Sequence, residues 1–256
     1  MEINQVVFSY DRKTEHLKGV SSQIEPGRVT TIIGPNGCGK STLLGVMSKN
    51  IVPQSGEIVL DGKAISSYKP KELAKKLAVV HQHNDAPADI TVERLVSYGR
   101  MPHRGILSQN KEEDEQAVEW ALSRTKLLDK RTKPIDQLSG GERQRVWIAM
   151  SLAQRTPILF LDEPTTYLDM YYQIELLELI RDLNMSHGLT IVMVLHDINQ
   201  AIRYSDHIIV MKQGEIMGRG TPQEVVTEET MKSIYGVHVV VKQDQELGLY
   251  IVPVGI

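Results

Sequence analysis

One cysteine, Cys38, stands in 256 residues, so no disulfide can form within the chain. That suits a reducing compartment. Charge of one sign is scarce as well: 29 basic side chains face 32 acidic ones, for a formal net charge of -3. A general nucleic-acid binder usually carries a basic surplus, so no nucleic-acid partner is expected. No apolar run approaches the roughly 20 residues that cross a bilayer. Thr190 to Leu195 is among the longest and reads as a strand. The opening Met1-Glu2-Ile3-Asn4-Gln5 has no basic region followed by an apolar one, so no signal peptide is expected. Repeats and low-complexity linkers are also missing. The expectation is a cytoplasmic globular protein that reaches a membrane only through a partner.

What is present centres on Gly34-Pro35-Asn36-Gly37-Cys38-Gly39-Lys40-Ser41-Thr42. Two glycines with four residues between them, then Lys and a hydroxyl residue, fit the phosphate-binding loop. Val29 to Ile33 before it is a β-branched, apolar run that reads as a buried strand, and Ser41 to Met47 after it has helical spacing. A glycine-rich turn into a helix start aims backbone N–H groups at an anion. Lys40 would reach the β- and γ-phosphates, Ser41 would hold Mg²⁺, and Thr42 would add contacts at the α-phosphate. Such a loop implies a nucleotide but not a task.

Two further stretches carry chemistry. Ile158-Leu159-Phe160-Leu161-Asp162-Glu163 is a buried strand ending in two acids. Beside a phosphate loop, such a strand completes a Mg²⁺ site with Asp162. It also leaves Glu163 to polarise a water as general base. In Leu138-Ser139-Gly140-Gly141-Glu142-Arg143-Gln144, a hydroxyl opens a helix and two glycines expose N–H groups, a second anion site or an ordinary capped helix. His81 and His83 share a strand face, but no third metal ligand is evident.

Strands are expected at residues 3–10, 20–24, 29–33, 56–62, 77–80, 158–161, 191–195 and 208–211. Helices are expected at 70–76, from 92 behind a Thr91 cap, and at 111–123, 140–154, 171–184, 198–204, 221–226 and 228–235. Val237 to Val241 and Leu249 to Val252 could pair as a terminal hairpin. Alternating strands and helices, interrupted by a helical stretch from Thr91 to Arg155, give an α/β class with a helical insertion.

Leu138 to Gln144, between the phosphate loop and the acidic strand, resembles the signature of the ATP-binding-cassette (ABC) ATPases. That resemblance implies a RecA-like phosphate-loop core with an antiparallel β subdomain and an inserted α-helical subdomain. The core lobe would be about 1–82 and 157–236, the helical subdomain about 83–156, and a short C-terminal β extension 237–256. It also implies that Tyr10 stacks on adenine and that Gln82 touches Mg²⁺ and the attacking water. Leu168-Asp169 would cross between two copies, and His196 would contact the γ-phosphate. Ser139, Gly140, Gly141 and Glu142 of one copy would close over ATP bound by another, so a homodimer is implied.

Within that family, Cys38 in its loop resembles the importers of ferric siderophores, haem and cobalamin. So do Gly99-Arg100-Met101-Pro102-His103, the acidic run 112–115, Val194 to Ile198 with Arg203 to Asp206, and Ile234 to Val237. The large regulatory extension of the sugar-importer branch is not expected. The resemblance thus implies an ATPase, with ATP and Mg²⁺ as cofactors, at the cytoplasmic face of the cell membrane. It would be held there by integral permease subunits and served by an extracytoplasmic substrate-binding protein. The permease would dock in a groove near Gln82 to Arg104. A soluble ABC ATPase of the iron–sulfur assembly type is the alternative; a DNA-repair type would need a long coiled-coil insertion, and a small-molecule kinase leaves Leu138 to Gln144 unexplained. Cys38 is expected to react with thiol reagents more slowly when ATP is bound. Tyr167, where many relatives have Ser, Gly or Asn, has no functional reading.

Overall fold

The computed structural model describes residues 1–105 and 110–256. Residues 106–109, inside the importer-like stretch 99–115, lie outside them. In chain order the elements are β1 (Glu2–Phe8), β2 (Leu17–Gln23), β3 (Val29–Ile33), α1 (Lys40–Met47), β4 (Ser55–Leu60), β5 (Lys63–Ala64), α2 (Pro70–Leu73) and β6 (Leu77–Val80). Next come α3 (Val92–Ser97), α4 (Lys111–Arg124), α5 (Gly140–Ala153), β7 (Ile158–Leu161), α6 (Met170–His187), β8 (Thr190–Val194) and α7 (Ile198–Tyr204). The chain closes with β9 (His207–Lys212), β10 (Glu215–Gly220), α8 (Pro222–Val225), α9 (Glu228–Tyr235), β11 (His238–Asp244) and β12 (Gly248–Gly255).

These elements form two compact units, Met1–Tyr68 with Thr190–Ile256, and Lys69–Leu189. In the first, an antiparallel sheet runs β2-β1-β4-β5. A second layer has the order β10-β9-β3-β8, with β3 parallel to both β8 and β9. Every residue of β3 and of β8 is buried. That is why both read as unbroken apolar or β-branched runs rather than alternating ones. Ile32 and Ile33 are fully buried, each stabilising the fold by roughly 1.5–3 kcal/mol. Register at the start of β9 is set by polar groups. Asp206 accepts the Val29 N–H at 2.8 Å, and the Ser205 and Thr31 hydroxyls meet at 2.5 Å. The terminal hairpin forms as β11 against β12. The edge strand β10 was not expected, because its two glycines and its half-exposed alternation hide it.

The second unit pairs β6 with β7 in parallel and packs α3, α4 and α5 together. It thus takes in strands and α6 as well as the helical segment. Caps fix the helix starts: the Thr91 hydroxyl accepts the Arg94 N–H of α3, and the Asn110 side chain accepts the Glu113 N–H of α4. The Gly99-Arg100-Met101-Pro102-His103 stretch is a 3₁₀ turn fastened to α4 and α5. A Cβ on Gly99 would lie 2.0 Å from the Met150 carbonyl oxygen, so only glycine lets this backbone approach α5.

Arg100, 1 % exposed, spreads its guanidinium over three acceptors. Nε donates to Asp114 at 2.8 Å, Nη1 to the Ala153 carbonyl at 3.0 Å and Nη2 to Glu113 at 3.2 Å. Arg104 donates to the other oxygen of Asp114 at 3.0 Å. Burial pushes the Asp114 carboxyl up, but the hydrogen bonds from Arg100 and Arg104 outweigh it and hold the group below its ordinary range. Removing one partner of a buried ion pair leaves the other uncompensated. Arg100→Met should therefore lower unfolding stability in urea by about 3 kcal/mol; a loss below about 1 kcal/mol would show that Arg104 alone suffices for Asp114.

Candidate functional site

The phosphate loop leaves β3 at Gly34 and enters α1 at Lys40. Two glycines are required by space as well as by φ. At Gly34 (φ 153°) a Cβ would fall 2.2 Å from the Met211 carbonyl oxygen, and at Gly39 (φ 105°) it would fall 2.7 Å from the His16 carbonyl oxygen. The loop is therefore wedged between β9 and the turn before β2. Lys40 is 5 % exposed, and its ammonium donates to the Gly34 and Pro35 carbonyls at 2.8 and 3.0 Å. A buried ammonium needs such partners, and these lie in the loop itself. Thr42 is buried, and its hydroxyl is 3.4 Å from that of Tyr10.

Tyr10 is 62 % exposed. Phe8 and His16 both meet its ring edge-on, with centroids 4.8 Å away, and so orient it. Behind it Asp11 closes a turn, accepting from the Thr14 and Lys13 N–H groups and the Ser9 hydroxyl; these bonds hold its carboxyl down at about 2. Phe8 and His16 were not singled out from sequence, since aromatic neighbours one strand turn apart look like ordinary core. Cys38 corrects an expectation. It is 4 % exposed, and burial pushes its thiol above the ordinary range, so it is a shielded packing group rather than a reactive handle. His196 follows β8 of the same unit and is exposed.

The second unit holds the acids. The Asp162 N–H donates to the Val80 carbonyl at 2.9 Å, which ties the end of β7 to β6. Glu163 has a φ of 50°, uncommon for a residue with a side chain. One of its carboxylate oxygens, Oε2, accepts from the Gln82 amide at 2.6 Å and from the Thr166 hydroxyl at 3.1 Å. Gln82 and Glu163, 81 residues apart, are thus brought together. Thr166 was missed; its signal was the three-residue spacing of a turn, since its N–H also bonds the Glu163 carbonyl. The ring of Tyr167 lies edge-on to His83, with centroids 6.4 Å apart.

Ser139 caps α5, and the cap is reciprocal. Its Oγ accepts the Glu142 N–H at 3.3 Å, and Glu142 accepts the Ser139 N–H at 2.8 Å. The Lys130 ammonium pairs with the same carboxylate. The hydrogen bond from Lys130 and that from Ser139 lower the Glu142 carboxyl to about 2. Arg143 fastens the approach by donating to the Leu138 and Asp136 carbonyls. The two signature glycines differ. A Cβ on Gly140 would meet nothing within 4 Å among the described residues beyond its own helix, whereas one on Gly141 would lie 2.9 Å from the Tyr172 ring, so Gly141 is where α6 packs on α5. Asp169 caps α6 by accepting the Tyr172 N–H at 3.2 Å.

A phosphate loop, a strand ending in Asp162-Glu163 and a capped Ser-Gly-Gly helix are the parts of an ATP-binding cassette. The family model described as ABC transporter matches residues 17–166, and the chain belongs to that family. Among its relatives is the petrobactin import ATP-binding protein FpuC of Bacillus anthracis, 45% identical over 96% of this chain and 90% of that one. The ferric enterobactin transport ATP-binding protein FepC of Escherichia coli (strain K12) is 44% identical over 98% and 93%. Among solved structures, the dimer of the bacterial ABC transporter cassette MJ0796 is 31% identical, with a TM-score of 0.77 over 86% of this chain and 98% of that one. The fold is that of the ABC ATPases, as the resemblance implied.

Glu142 gives the signature cap a pH dependence. Its folded value, about 2, lies below the ordinary 4.5. Its contribution is therefore complete above pH 4.5 and is lost as pH falls toward 2. Glu142→Gln should flatten the acid limb of a stability-against-pH curve in that window. An unchanged acid limb would show that Ser139 and Lys130 do not act through this carboxylate.

Proposed function

We propose that the chain is the ATP-hydrolysing subunit of an importer for a ferric siderophore or a related iron complex. The observation that carries the transport reading is the match to FpuC and FepC over nearly their whole lengths. The soluble iron–sulfur assembly alternative has no observation of its own in its favour. No helix of the described residues is long and apolar enough to cross a membrane. We place the chain at the cytoplasmic face, held by permease subunits that dock near Gln82 to Arg104. The extracytoplasmic binding protein would act only through that permease.

In this reading Tyr10 stacks on adenine, and Gly34, Pro35, Asn36, Gly37, Cys38 and Gly39 line the phosphates with backbone groups. Lys40 exchanges its carbonyl partners for phosphate oxygens, and Thr42 adds its hydroxyl. Ser139, Gly140, Gly141 and Glu142 of a second copy close over the γ-phosphate, and Asp169 crosses at the same seam. The dimeric MJ0796 cassette supports this two-fold arrangement.

Ser41, Asp162 and Gln82 offer hydroxyl, carboxylate and amide oxygens, a hard donor set that fits Mg²⁺. Held by these three residues, Mg²⁺ would supply positive charge to offset that on the phosphates. The chain's own groups do the rest. Glu163, its carboxylate plane fixed by Gln82 and Thr166, orients and polarises the attacking water. His196 contacts the γ-phosphate and Lys40 takes up charge as the bond to the leaving ADP breaks. ATP then stabilises the closed pair and its hydrolysis releases it, which biases the permease between two states.

Glu163→Gln should cut ATP turnover by roughly 10²–10⁴-fold while trapping an ATP-bound dimer in gel filtration with Mg-ATP. Lys40→Ala should lose turnover without trapping the dimer. Monomer alone for Glu163→Gln, at chain concentrations well above those of the assay, would overturn either the base or the dimer.

A further inference from the structure

The C-terminal hairpin of β11 and β12 is a two-stranded sheet, and an isolated hairpin is marginal in water. Its attachment to the rest of its unit therefore decides whether it is ordered. Two side chains make that attachment at one cross-strand pair, Val241 opposite Ile251. On the β12 edge, Asn199 of α7 makes both bonds that a neighbouring strand would make. Its Oδ1 accepts the Ile251 N–H at 2.9 Å, and its Nδ2 donates to the Ile251 carbonyl at 3.2 Å. The N–H and carbonyl of Ile251 fix which end of the amide is which. On the β11 edge, Glu228 of α9 accepts the Val241 N–H at 3.4 Å. Ile251 and Val239 are buried, so the inner face packs as well as bonds.

What Asn199 is attached to matters more than the hairpin itself. It sits in the first turn of α7, which begins two residues after the histidine assigned to the γ-phosphate. Asp197, between them, caps the helix by accepting the Gln200 N–H at 2.9 Å. α7 is only seven residues long and packs against both β3, the strand that feeds the phosphate loop, and β12. A helix this short has little stability of its own. Its placement, and with it the direction in which the chain leaves His196, rests on what it is packed and bonded to.

We propose that the C-terminal hairpin is a brace for His196, the γ-phosphate switch of the proposed mechanism, with Asn199 as the positioning residue that joins β12 to the helix behind it. The brace leaves nucleotide affinity to Tyr10 and the phosphate loop and sets the rate of γ-phosphate cleavage. It rests on the reading of His196 as the γ-phosphate contact.

The test uses the full chain, with ATP turnover, affinity for a non-hydrolysable ATP analogue, and amide hydrogen exchange over residues 197–204. Asn199→Ala should lower turnover by roughly tenfold or more, since small misplacements of a catalytic group cost that much. Analogue affinity should stay within about twofold of the unaltered chain, and exchange over 197–204 should quicken. Asn199→Asp keeps the acceptor for the Ile251 N–H and loses the donor, so its turnover should fall between; it also serves if Asn199→Ala does not fold. Glu228→Ala loosens the other edge but leaves both Asn199 bonds to Ile251 in place, so turnover should fall clearly less than in Asn199→Ala. Unchanged turnover in both Asn199 variants overturns the brace. So does a parallel loss of affinity and rate, or an equal loss in Glu228→Ala. His196→Ala, run alongside, separates the two readings. If it is slow while Asn199→Ala is normal, only the brace fails; if it is itself normal, the switch assignment fails and the brace with it.

Discussion

A buried ammonium is the constraint on which the site depends. Lys40 is 5 % exposed, and an unpaired charge at that depth would cost several kcal/mol. The loop supplies the answer from its own Gly34 and Pro35 carbonyls. It can curl that tightly only because Gly34 and Gly39 lack side chains where the Met211 and His16 carbonyls press in. The same closeness fixes the rest of the loop between β9 and the turn before β2, and it shields Cys38. A phosphate bound there would meet a cation already held at the loop, which would exchange these carbonyls for phosphate oxygens.

The acids are held by a different device. Glu163 is placed by a left-handed backbone and by two donors to one oxygen, from Gln82 and Thr166. Gln82 begins the segment proposed for the permease, so a displacement of that segment would be felt first at Glu163, the proposed base. The start of the signature helix is fixed by the reciprocal bonds of Ser139 and Glu142, and Lys130 pairs with the same carboxylate. Each part is pre-set within its own neighbourhood.

Much of this was legible in the residues. The strands 29–33, 77–80 and 158–161 were read with their observed ends because buried parallel strands leave unbroken apolar runs. Helix starts at 92 and 140 were read because the hydroxyls of Thr91 and Ser139 stand just before them. Spacing could not show that Gly141 makes room for Tyr172 rather than for a ligand, nor that Arg100 is swallowed whole among Asp114, Glu113 and the Ala153 carbonyl. Those depend on which helices lie together. The edge strand 215–220 was hidden by its glycines, and the Asn199 bonds to Ile251 join residues 52 apart that no local pattern links.

The central claim is that one ATP lies between the phosphate loop of one copy and the signature of another. It is tested most directly by thiol cross-linking between two differently tagged chains, one carrying Asn36→Cys and the other Ser139→Cys, both in the Glu163→Gln background. With Mg-ATP and a short bifunctional thiol reagent, a band holding both tags should appear, and it should be absent without nucleotide. Nucleotide binding by both chains with no such band would contradict a shared site.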